Sequence, residues 1–281
     1  MSANIGVAAL HLGDDRVVLD LHARQLAEAR ENGALVAIVH ALTRRSFGEI
    51  VVGDWTTAEA GAAEALDLPA SNGQPALTSL PHAWPALLAA LRDRPEPLAE
   101  HLAALDRLPP VGVAGPIVAN LGRWAWAPAA DTASGALHHL QQTTTFVTRM
   151  AAFDRVETAI RAERADLVRR WVAELAEFGT AAGARWALAA AGFGRALLGD
   201  GDVVAEFVAA IEHADAAGHR STGPASNWPT ASTCGGPGAG WTPGPSCGRR
   251  WRCSTISARI GRPGGRPRSC ARPASPLADW A

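Results

Sequence analysis

A chain of 281 residues with 48% hydrophobic and 19% charged residues and a formal net charge of -1 is sized for one large or two ordinary soluble domains, and favours neither a polyanion nor a membrane surface as partner. All 26 basic residues are Arg, so the absence of Lys excludes a P-loop lysine, Schiff-base chemistry and a Ser-x-x-Lys nucleophile pair. The opening residues carry no secretory leader pattern and no apolar run long enough to span a bilayer is free of charge and Pro, so a cytoplasmic address without export or a membrane span is expected.

Along the chain the same punctuation occurs three times, at Leu12-Gly13-Asp14, Val52-Gly53-Asp54 and Leu198-Gly199-Asp200. A second glycine follows each one at nearly the same interval, at Gly33, Gly73 and Gly218. The intervening segments are rich in Ala, Leu and Glu, with apolar residues returning every three or four positions, the signature of an amphipathic helix. Asp14, Asp54 and Asp200 suit the N-cap, where a carboxylate accepts from free backbone N–H groups. Gly33, Gly73 and Gly218 suit the left-handed position that closes a helix.

Asp93 follows Asp54 at almost the interval that separates Asp54 from Asp14, a period close to that of helix-turn-helix solenoids. After a first helix near 16–30, the pattern predicts helix pairs at 34–47 with 55–68, 75–91 with 95–106, 112–126 with 132–143, 145–162 with 165–178, and 181–197 with 202–217. Pro81 and Pro85 either kink the helix they interrupt or mark a start at Pro85. Strand signals are missing: alternating β-branched runs do not occur and Ile50-Val51-Val52 is too short to stand alone. The expected fold is all-α, a right-handed superhelix (solenoid) of stacked helical hairpins over residues 1–220, because one hairpin buries its apolar face only by stacking on the next.

From Ser221 the alphabet changes. Residues 1–220 hold 18 Arg against 26 Asp and Glu, whereas 221–281 hold 8 Arg against the single acid Asp279, together with all four cysteines. Residues 221–281 are expected to be a disordered tail. Cys234, Cys247, Cys253 and Cys270 contain no C-x-x-C pair and the tail no His, which disfavours zinc. Arg249, Arg250, Trp251, Arg252, Arg259, Arg262, Arg266 and Arg268 could neutralise phosphates and stack a base. A third reading covers every oddity: the alphabet is what GC-rich coding DNA yields when read out of frame. Back-translating from Ser226 through Cys234 and on, with the frame shifted, gives Val-Glu-Leu-Ala-Tyr-Gly-Glu-His-Leu-Arg-Arg and then a leucine- and alanine-rich helix pair, the next unit of the repeat.

The units Leu12-Gly13-Asp14 to Gly33, Val52-Gly53-Asp54 to Gly73, and Ala165-Asp166 through Leu198-Gly199-Asp200 to Gly218, with the shifted Leu-Ala-Tyr-Gly-Glu continuation, resemble the tetratricopeptide-like region of LuxR-family transcriptional regulators of the large ATP-binding, MalT-like type. The resemblance implies a ligand- or protein-sensing module that takes a protein or small-molecule inducer on its concave face. It implies DNA contact only through a helix-turn-helix domain that this sequence lacks, as it lacks the ATPase motif. No catalysis, cofactor, metal or membrane partner is expected of such a module. A free-standing helical-repeat adaptor would show the same pattern.

Among residues able to carry chemistry, Arg123, Trp124 and Trp126 and the later Arg185 and Trp186 place indole and guanidinium groups on first helices of pairs, where a solenoid presents its inner surface to partners. Trp124 and Trp126 cannot both face inward at i, i+2, so at least one belongs to the core. His138 and His139 point about 100° apart on a helix and so do not form the i, i+4 pair of a helical zinc site. An all-α enzyme would need one of them to meet Asp131 in a closed pocket. His82, His101 and His213 stand singly. Arg44-Arg45 and Arg169-Arg170 read as solvated faces, and the acidic balance of 1–220 argues against a DNA groove there.

Overall fold

The computed structural model describes residues 2–108 and 114–216. The expectations for Gly218 and for the segment 221–281 lie outside the described residues. Among these residues the chain forms thirteen α-helices and one short 3-10 helix, with no strand.

The helices are α1 (Ser2–Leu12), α2 (Asp15–Glu31), α3 (Leu35–Val51), α4 (Trp55–Ser71), α5 (Ser79–Leu91), α6 (Pro95–Arg107), α7 (Ala114–Ala129), α8 (Ala133–Gln141), α9 (Thr145–Met150), α10 (Ala152–Arg161), α11 (Ala165–Ala182), α12 (Arg185–Leu198) and α13 (Val203–Ala216). The 3-10 turn Pro75–Thr78 leads into α5. Three helix bounds depart from the sequence reading. Helix α1 is additional. The expected helix over 145–162 is broken at Ala151 into α9 and α10. Pro85 lies inside α5 rather than at its start, and Pro81 falls in the first turn, where a missing N–H costs least because that donor has no intrahelical acceptor.

The connections share one local device. Backbone φ is positive at Gly13, Gly33, Gly53, Gly73 and Asp93, five evenly spaced positions, and again at Glu163 and Gly183. At Gly13 the closing turn is made by Asp14 N–H donating to Ala9 O and Gly13 N–H to Leu10 O; the same two-bond pattern recurs at Gly33, Gly53, Gly73, Asp93 and Glu163. This left-handed closure satisfies the last free carbonyls of each helix. Asp14 and Asp54 then cap the next helix, each accepting at 3.2 Å from the backbone N–H at the third position on. The expectation for Asp200 is corrected: the loop contains a second left-handed glycine, Gly201, and the helix start moves to Val203. The capping carboxylate is that of Asp202, which accepts from Val204 and Ala205 N–H, while Asp200 pairs with Arg169 at 3.2 Å.

Helices pack on their neighbours in sequence, α2 on α3, α3 on α4, α5 on α6, α11 on α12 and α12 on α13, and on the next but one, α5 on α7, α8 on α10 and α10 on α12. Helix α5 is enclosed on nearly every face, with Trp84, Leu87 and Leu88 fully buried, and Trp84 meets Phe47 of α3 edge to face at 4.2 Å between centroids. That is the expected position for a helix whose residues are apolar all round. Much of the core is Ala and Gly, which lets helix backbones approach closely; a Cβ built on Gly194 of α12 would come within 2.3 Å of Val172 of α11. No described helix is long and apolar enough to cross a membrane.

Candidate functional site

The residues singled out in the sequence fall into two clusters. The first is on α7 and α8. Trp124 and Trp126 point to different surroundings, as their spacing requires: Trp124 is 2% exposed and its indole N–H donates to Asp154 of α10 at 3.0 Å. Trp124 therefore ties α7 to α10. Trp126 is half-buried, and its ring lies nearly parallel to that of His139, at 18° with centroids 6.4 Å apart. The half-buried Arg123 donates to the carbonyl oxygen of Gln142 at 3.5 Å, and the Gln142 side-chain amide bonds the exposed His138 at 2.7 Å. His138 and His139 meet edge to face.

Helix periodicity explains the grouping, since Arg123 and Trp126 at i and i+3 on α7 share a face and the α7–α8 contact brings His139 to it. Burial pushes the His139 imidazole below its ordinary range, helped by the charges of His138 and Arg123, which keeps the ring neutral at pH 7. The cluster offers a planar indole, two imidazoles and a guanidinium within one partly solvated patch. Such groups stack on planar ligands and donate to carboxylates or phosphates. Asp131 is exposed, and His138 has its ring nitrogen on Gln142.

The second cluster joins the two ends of the described chain. Trp186, at the start of α12, is 7% exposed; its indole N–H donates to His11 O of α1 at 3.0 Å, and the Arg149 guanidinium of α9 lies 5.3 Å from its ring centroid. Arg149 in turn donates to both oxygens of Asp15, the first residue of α2, at 3.0 and 3.3 Å. Asp15 is pushed up and Arg149 down from their ordinary values, in each case mainly by burial, against the attraction between them. Trp186 thus serves to hold helices together. Its neighbour Arg185 is exposed and lies 3.3 Å from Nδ1 of His213 on α13. Gly13 contributes to this cluster as well, because a Cβ there would come within 2.8 Å of the Trp186 ring.

Sequence reasoning missed Asp15, Arg149 and the pairing of His82 with His101. Asp15 resembles any first-turn acid and Arg149 any helical Arg; only their convergence marks them. Elsewhere an open cleft of about 760 Å³ lies where α2 turns into α3, lined by Glu28, Ala29, Leu35, Val36 and His40 among others. No group of three or more His, Cys, Asp or Glu among the described residues is placed to hold a metal ion. Compared with models of protein families, with curated proteins and with solved structures, the chain matches none.

Proposed function

We propose that the described helices are the tetratricopeptide-like solenoid of a LuxR-type transcriptional regulator, a non-catalytic module that recognises a protein or small-molecule inducer. The observation that carries this reading is the even spacing of left-handed turns at Gly13, Gly33, Gly53, Gly73 and Asp93, the spacing expected of repeated helical hairpins over that part of the chain. Helices that pack on sequence neighbours are what a stacked-hairpin architecture requires. The open setting of Arg123, Trp126, His138 and His139 favours recognition over catalysis, for which reacting groups need an enclosed site. A ligand seated against Trp126 would bias helix packing between α7 and α8 and so alter the exposure of domains joined to the repeat.

The reading is tested by the nucleotide sequence through codons 215–281 and the regions on either side. The expected result is a shifted frame that continues the repeat from near Ser221 and runs into a helix-turn-helix coding stretch. A written frame that alone stays open, with no such continuation, would overturn the regulator assignment. In the frame-restored regulator, Trp126→Ala should abolish the inducer response while leaving helical content unchanged; an undiminished response would remove the α7–α8 patch from the recognition surface.

A further inference from the structure

His82 of α5 and His101 of α6 face each other across one helical hairpin. Their Nδ1 atoms are 3.1 Å apart whereas their ring centroids are separated by 5.4 Å, so the two nitrogen edges are turned toward one another. Both rings are half-buried and remain in reach of solvent. The charge of the exposed Glu100 carboxylate acts on both.

From this convergence we infer that His82 and His101 form a two-histidine site for a borderline divalent cation of the Zn²⁺ class, bound through both Nδ1 atoms and completed by water, with the Glu100 carboxylate near enough to offset part of its charge. The separation of the two nitrogens matches that of a pair of zinc ligands. Zinc–imidazole bonds are about 2.0–2.1 Å long, and two of them meeting at about 100° span about 3.1 Å, the separation found. In the metal-free pair one Nδ1–H donates to the other Nδ1. On metal binding that proton moves to Nε2 of the same ring, freeing the second lone pair with no net proton release. Burial pushes both imidazoles below their ordinary values. After burial, His101 and, less strongly, Arg107 push His82 down, and Glu100 opposes them.

The test uses the full chain with Cys234, Cys247, Cys253 and Cys270 alkylated, so that thiolates do not compete. Zn²⁺ is titrated against a chelating dye, with long-range ¹H–¹⁵N spectra of the imidazoles recorded in parallel. The expected result is one Zn²⁺ per chain, with affinity lowered at least about 10-fold by His82→Gln and by His101→Gln separately, and less by Glu100→Gln. In the spectra of the unsubstituted chain, Nδ1 of both histidines should shift on saturation. Absence of binding, binding unchanged by either histidine substitution, or shifts confined to other histidines such as His138 and His139 would overturn the site. If a substituted chain fails to fold, the spectra of the unsubstituted chain decide alone.

Discussion

The guanidinium of Arg149 donates to both carboxylate oxygens of Asp15, 134 residues away in the chain, and the two side chains are only 3% and 5% exposed. This pair, with Trp186 beside it, fastens α1 and α2 to α9 and α12. Burial pushes Asp15 up and Arg149 down against the attraction between them, and the pair, joining helices far apart in sequence, acts as a lock on arrangement. Asp15→Asn and Arg149→Met should each destabilise the fold by about 3–5 kcal/mol, because each leaves the other buried charge without its counter-charge. The double substitution should cost well under the sum, a coupling read from a urea-denaturation double-mutant cycle. Additive losses would show that the pair is not the lock.

The left-handed turns give a second prediction. Asp93 and Glu163 adopt φ of 56° and 58°, where a Cβ meets the following carbonyl. Asp93→Gly and Glu163→Gly should each stabilise by about 1 kcal/mol, the usual penalty for an L-residue there. Gly33→Ala should lose a similar amount, since only conformation opposes a Cβ at that position. Gly13→Ala should lose more, because it adds a close approach to Trp186. Denaturation midpoints check the order.

Caps distinguish Asp200 from Asp202. Asp14→Ala, Asp54→Ala and Asp202→Ala should each cost about 1 kcal/mol, as loss of an N-cap usually does. Asp200→Ala removes only an exposed pair with Arg169 and should fall within about 0.5 kcal/mol of the parent in thermal or chemical unfolding.

Glu49 of α3 predicts a pH dependence. Its side chain is 4% exposed, and burial pushes its carboxyl up from 4.5 to about 7, with Arg45 pulling it back and Asp54 pushing it further. The folded chain therefore keeps this proton over a range in which the unfolded chain has released it. The stability it contributes is present in full below about pH 4.5 and is lost as pH rises through 7. Relative to the parent, Glu49→Gln should gain stability between about pH 5 and 7 and level off above that in urea titrations at fixed ionic strength. A gap independent of pH would contradict the shift.

What can be read from these residues without coordinates is what local chemistry decides. The helix periods, the evenly spaced glycines and the caps at Asp14 and Asp54 depend on interactions within one turn or so of helix, so sequence alone determines them. The same logic predicts a cap at Asp200, because Gly199 precedes it. The structure moves it to Asp202, since Gly201 extends the loop by a second left-handed step. Tryptophan spacing determined that Trp124 and Trp126 have different surroundings, but not which goes inside. That choice rests on Asp154, 30 residues away on α10, which holds the Trp124 indole in the core and leaves Trp126 beside His139. Trp186 was drawn inward by a carbonyl 175 residues upstream, and His82 met His101 only because α5 and α6 fold back on each other. Periodicity along one helix therefore determined that the described residues are helical and where most of their turns fall, the break at Ala151 and the longer loop before Val203 excepted. Which side chains meet across helices was decided by tertiary packing, because burial and hydrogen bonding act through space between segments whose spacing carries no mark of their contact.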